Sequence, residues 1–121
     1  MSQKKILVAD DEKPLAQVLV FKLQHEGFKA SMVANGEEAL EFLANEEVDL
    51  VLLDLMMPKL DGFGVLEAMQ KKQNHTPVIV SSNLSQPEQT DRALALGACG
   101  YYVKSNTSLK QVIDQIKAKL L

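Results

Sequence analysis

Residues 48–58 read Val48-Asp49-Leu50-Val51-Leu52-Leu53-Asp54-Leu55-Met56-Met57-Pro58. A short apolar run ended by an acid and a proline has the pattern of a strand buried on both faces of a parallel sheet. In open α/β sheets, chemistry sits beyond the carboxyl ends of the strands. Asp54 therefore reads as a carboxylate held at the mouth of a site. A second apolar run, Ile6-Leu7-Val8-Ala9, ends in Asp10-Asp11-Glu12. One acid after a strand is often only the cap of the next helix. Two strand ends that both present carboxylates suggest a site for a hard cation.

Working outward, strand-like and helix-like segments alternate five times. The strands are expected at Lys5–Ala9, Phe28–Val33, Leu50–Leu53, Val78–Ser81 and Gly100–Val103. Pro14 suits the first turn of helix 1, where Leu15, Val18, Leu19 and Leu23 recur at helical spacing and Gly27 marks the stop. Asn35-Gly36 opens helix 2, which carries Ala39, Leu40 and Leu43. Asp61-Gly62 opens helix 3, with Phe63, Leu66 and Met69 on one face. Ser85 is the expected cap of helix 4, with Pro87 near its start and Gly97 past its end. Leu109, Val112, Ile113, Ile116 and Leu120 form the core stripe of helix 5. Such alternation with short links implies a doubly wound parallel sheet with helices on both faces. The expected fold is flavodoxin-like, five strands in the order 2-1-3-4-5 with five helices. Its switch point lies between strands 1 and 3, the strands that end in Asp10, Asp11 and Asp54.

The chain has 121 residues, the size of one domain, here taken as residues 1–121. The net charge of −3, with no basic cluster, argues against a nucleic-acid surface. No stretch has the length to span a bilayer, and no secretory leader is evident, so a cytoplasmic protein is expected. Cys99 is the single cysteine, so it has no internal disulfide partner, and it reads as a small buried residue. His25 and His75 read as surface residues without a role. Nothing here excludes an output domain beyond Leu121.

The chain resembles the receiver domain of two-component response regulators over essentially its whole length. The resemblance rests on Val8-Ala9-Asp10-Asp11-Glu12, Asp54-Leu55-Met56-Met57-Pro58, Asp61-Gly62, Pro77-Val78-Ile79-Val80-Ser81-Ser82, Gly97-Ala98 and Gly100-Tyr101-Tyr102-Val103-Lys104. It implies a signalling phosphoacceptor of a phosphorelay, not a turnover enzyme, that assists its own phosphorylation and dephosphorylation. Asp54 matches the phosphoacceptor, and Asp10 and Asp11 the paired acids that hold Mg2+ or Mn2+. Asp54 and the Met56 backbone carbonyl complete the implied ligand set. Lys104 and Ser82 match the strand-end lysine and hydroxyl, and Tyr101 the aromatic switch residue. The implied partners are a histidine kinase or histidine phosphotransfer protein, and a downstream protein or a lost output domain. The implied output surface is helix 4, strand 5 and helix 5. Gly100 stands where dimerising relatives often carry an acid, so a monomer or weak dimer is expected.

Four positions depart from the family: Met56 offers no polar side chain to orient an attacking water, Ser82 replaces the commoner threonine, and Ser105 and Asn83 differ near the site. Ser105 replaces the usual proline after Lys104, whose bond is typically cis; a cis bond before a non-proline residue costs about 2.5–4 kcal/mol. Asn83 follows Ser82 where a small residue is usual, lining access to the phosphoryl group. Three other readings compete. A receiver-like scaffold that is never phosphorylated would commonly lose part of the set Asp10, Asp11, Asp54, Ser82 and Lys104. A metal-dependent phosphohydrolase commonly needs an acid at position 56, where this chain has methionine. A nucleotide or flavin binder needs a Gly- or Ser/Thr-rich loop after strand 1, not three acids.

Overall fold

A computed structural model describes residues 3–83 and 87–120. Five parallel strands, β1 (Lys5–Ala9), β2 (Lys29–Val33), β3 (Leu50–Asp54), β4 (Val78–Ser82) and β5 (Gly100–Val103), form one sheet in the order β2-β1-β3-β4-β5. Five helices connect and follow them: α1 (Lys13–His25), α2 (Gly36–Asn45), α3 (Gly62–Lys71), α4 (Pro87–Ala95) and α5 (Leu109–Leu120). This is the doubly wound, flavodoxin-like arrangement read from the sequence. Asp54 and Ser82 prove to be the last residues of their strands rather than the first beyond them. The ladder carries on past Leu53, pairing Asp54 with Ser81 and Ser82 with Val103.

The sheet is covered on both faces, so its central strands are apolar at every position, and β3 is buried throughout. One core gathers Leu7, Val51, Leu53 and Val80 with Ala39 of α2, Phe63 and Leu66 of α3 and Ala93 of α4. The other gathers Ile6, Val8, Leu52 and Ile79 with Leu19 and Leu23 of α1 and Val112, Ile113 and Ile116 of α5. Alternate strand residues feed the two cores, as the two-residue period of a strand requires.

Two sequence expectations are corrected here. Leu15 and Val18 do not join the α1 core face: they are 37% and 52% exposed, and Ala16, Leu19 and Leu23 are buried instead. Helix α1 is apolar on more than one face, and the small Ala16 fits where the helix lies against the sheet. Cys99 is exposed, not buried. Ala98 takes the interior position, and Cys99 is held before β5 by its N–H, which donates to the Val78 carbonyl at 2.8 Å.

Helix starts follow the sequence signals. The side chains of Asn35 and Asp61 accept from the N–H groups of Glu38 and Gly64. The cap expected at Ser85 lies outside the described residues. Gly27 and Gly97 follow α1 and α4 with φ of 95° and 105°, the left-handed conformation that ends helices. The loop between β3 and α3 is held closely. The Gly62 N–H donates to the Leu55 carbonyl at 3.0 Å, and a Cβ on Gly62 would lie 2.6 Å from the Asp54 carbonyl oxygen. Gly62→Ala should therefore destabilise the domain by about 1–3 kcal/mol through overpacking. Urea unfolding checks this; an unchanged midpoint would contradict the close approach.

Candidate functional site

The order β2-β1-β3-β4-β5 places β1 beside β3, and their carboxyl ends carry Asp10, Asp11 and Asp54. One carboxylate oxygen from each of the three lies within 4.8 Å of the others. Asp10 and Asp54 are buried, while Asp11 is exposed. From the end of β5, Lys104 reaches across: its Nζ lies 2.8 Å from Asp10 Oδ2 and 3.1 Å from Asp54 Oδ2. The remaining oxygens are held from the backbone. Asp10 Oδ1 accepts from the Glu12 N–H at 2.9 Å, and Asp54 Oδ1 from the Met56 N–H at 3.2 Å.

Three carboxylates against one ammonium leave the cluster anionic. Burial pushes the Asp54 carboxyl up from the ordinary 3.8 to about 6; Lys104 pulls it down, and the charge of Asp10 pushes it up further. For Lys104, burial works against the charged form. Its hydrogen bond to Asp10 and the charges of Asp54 and Asp10 outweigh this and raise its pKa. The donor set contains only oxygens, two buried and one open to solvent, which suits a hard divalent cation. The cluster could hold a metal ion. The described residues also include a polar cleft of about 560 Å3, lined by Lys5, Glu46, Asp49 and Thr76. It lies at the opposite, amino end of the strands and takes no part in this constellation.

The other residues singled out in the sequence take varied positions. Ser82 is fully buried at the end of β4. Tyr101 and Tyr102 face opposite ways. Tyr101 is half-buried against the core that includes Ala93 and Leu96, on the α4 side. Tyr102 is buried on the α1 and α5 side, and burial pushes its phenol up to about 12, against the effect of its hydrogen bond to Ser81. The Met56 side chain is 58% exposed. The chain from Lys104 to Asn106 makes a single 3-10 turn, and no peptide bond is cis among the described residues, so Ser105 follows a trans bond. His25 and His75 are exposed, His25 stacking on Phe21. The sequence reading missed two features: the contact of Asn83 with Glu12, and the exposed apolar row Leu15, Val18 and Phe21 on α1. The three-residue spacing of that row was a signal for the second.

Residues 6–117 match the family described as Response regulator receiver domain. The chain belongs to that family. The receiver domain is 42% identical over 104 residues to "Probable transcriptional regulator ycf27" of Porphyridium aerugineum, a match covering 86% of this chain and 43% of that protein. It thus spans less than half the length of this curated relative. Among solved structures it is similar to the Francisella response regulator 1452 receiver domain, with 32% identity, a TM-score of 0.92 and coverage of 98% of this chain and 97% of the other. It is also similar to the CheY-like receiver domain protein of Methanospirillum hungatei JF-1, with 28% identity, a TM-score of 0.92 and coverage of 98% and 94%. No described helix has the length and apolarity to cross a membrane.

The shifted Asp54 pKa fixes a sign. A carboxyl whose folded pKa exceeds its unfolded value stabilises the fold at low pH, and that contribution is lost as pH rises from about 3.8 to about 6. In metal-free buffer, Asp54→Asn should therefore melt progressively higher than the parent as pH rises through that window, the gap levelling above it. Thermal melts with a chelator at pH 4 to 7 test this. A gap that shrinks with rising pH would contradict it.

Proposed function

We propose that this receiver domain is a phosphoacceptor of a two-component phosphorelay, taking a phosphoryl group from a phosphohistidine onto Asp54. The carrying observation is the contact of Lys104 with both Asp10 and Asp54 in a buried acidic cluster. In the transfer, an Asp54 oxygen forms a bond to phosphorus as the donor's nitrogen–phosphorus bond breaks. The electron pair returns to the imidazole, and the product is an acyl phosphate. Asp10, Asp11, Asp54 and the Met56 carbonyl would hold a divalent cation such as Mg2+, which would supply charge that lets an anionic donor approach. Lys104 sets a fixed positive charge on the other side, where charge builds on the transferring oxygens. Ser82 offers a hydroxyl to the bound phosphoryl group.

Signalling follows from a shift in population. Contacts made only to the phosphorylated form draw Ser82 inward, and Tyr101, which packs beside α4, turns with it. The surface of α4, β5 and α5 is the output face for a downstream protein or an attached output domain. A monomer or weak dimer in the cytoplasm is the form this reading assigns, without direct nucleic-acid or membrane binding.

The donor's docking face is α1. Leu15, Val18 and Phe21 recur every three residues on this helix, and Phe21 is 69% exposed. Leu15 and Val18 also line a groove of about 110 Å3 with Tyr102, Lys104, Leu109 and Val112. An apolar row that runs to the edge of the site suits a helix that brings its histidine to Asp54.

Intact mass after incubation with Mg2+ and acetyl phosphate tests the function. The parent should gain one phosphoryl group and Asp54→Asn none; no gain with any donor would favour an unphosphorylated scaffold. Mg2+ at about ten times its Kd should stabilise the parent by about 1.4 kcal/mol, and Asp11→Asn should remove the effect. Phe21→Lys should slow transfer from a histidine-kinase donor at least several-fold while leaving the acetyl phosphate rate unchanged. Equal slowing with both donors would refute α1 docking.

A further inference from the structure

Asp54 is closed off in this conformation. The side chains of Asp54, Asp10 and Lys104 are only 3%, 4% and 7% exposed. A donor's phosphorus must touch an Asp54 oxygen, so something above the carboxylate has to move. Glu12 follows Asp11 at the end of β1, Asn83 follows Ser82 at the end of β4, and β3, which ends in Asp54, lies between those strands. Asn83 Nδ2 donates to Glu12 Oε1 at 3.2 Å, so the two side chains meet across the carboxyl end of β3. The same Glu12 oxygen lies 3.8 Å from Lys104 Nζ, and the Glu12 N–H is anchored on Asp10. The Glu12 side chain is 45% exposed and Asn83 is exposed, so the pair lies on the solvent side of the buried cluster.

We propose that Glu12 and Asn83 form a strap across the mouth of the site, and that opening it limits how fast small phosphodonors reach Asp54. The proposal rests on reading Asp54 as the phosphoacceptor. Asparagine is needed because its amide reaches Glu12 and donates to it; alanine at position 83 can do neither. Glu12 is the better acceptor for being charged. Its second contact, with Lys104, ties the strap to the ammonium that faces the reacting oxygen. One partly exposed hydrogen bond is a small barrier, easily displaced by a docked protein donor but felt by a donor that makes no other contact.

The test is the initial rate of phosphorylation by acetyl phosphate at fixed Mg2+, read by intact mass, for the parent, Asn83→Ala, Glu12→Ala and the double variant. Loss of one such hydrogen bond predicts that Asn83→Ala reacts about two- to tenfold faster. The double variant should then be no faster than Glu12→Ala alone, because one strap is broken once. A merely structural role for Asn83 would slow the reaction rather than speed it. A parent that is phosphorylated at a rate Asn83→Ala leaves unchanged or lowers would overturn the strap alone. So would gains from the two single variants that multiply in the double. A parent that takes no phosphoryl group from any donor would overturn the phosphoacceptor reading and the strap with it.

Discussion

The ammonium of Lys104, held between the buried carboxylates of Asp10 and Asp54, is the constraint on which the site depends. Taking charges out of water costs several kcal/mol per ion, and a buried pair recovers this only with close contacts and further hydrogen bonds. Both conditions are met for the oxygens that Lys104 and the loop N–H groups of Glu12 and Met56 reach. The balance is still short of positive charge. Burial, with the charge of Asp10 added, pushes the Asp54 carboxyl up to about 6 against the pull of Lys104. A site short of positive charge is one that a cation or a charge-neutralising rearrangement stabilises, which makes it responsive.

The fold supplies the geometry through its strand order. After β2 the chain crosses back to the other side of β1, so β1 and β3 lie side by side with β4 and β5 beyond. Four strand ends then contribute to one place: acids from β1 and β3, a buried hydroxyl from β4, and a lysine from β5. The carboxylates need a fixed backbone under them. The β3–α3 loop provides it, pressed against Gly36 and Gly62, where a Cβ would lie within 2.6 Å of backbone oxygen. On the other side, Glu26 at the end of α1 pairs with Lys117 of α5, and that contact holds the Glu26 carboxyl below its ordinary range. It ties together the two helices whose apolar residues flank Lys104.

Most of this was readable from local sequence, because the strands are short apolar runs and α2 and α3 start on their own caps. Residues 5–9 and 100–103 match the expected strands at both ends. Asp10, Asp11 and Asp54 were singled out because acids directly after apolar runs must emerge at one edge of a parallel sheet, whereas Lys104 came from the family resemblance. What failed was the choice between faces. Leu15 and Ala16 are neighbours on an apolar helix, and periodicity does not say that the smaller one meets the sheet. Cys99 and Ala98 pose the same problem in an extended segment. The Glu12–Asn83 contact joins loops 71 residues apart. Only the strand order brings them together, so no local pattern could have revealed it.

The most direct test of this account is the titration of the Asp54 side-chain carboxyl by carbon-13 NMR, with and without Mg2+. The account predicts a metal-free midpoint near 6, above the ordinary 3.8, and a marked fall when Mg2+ is added. A midpoint near the ordinary value that Mg2+ does not move would contradict it. Asp54 would then be neither desolvated nor part of a cation site.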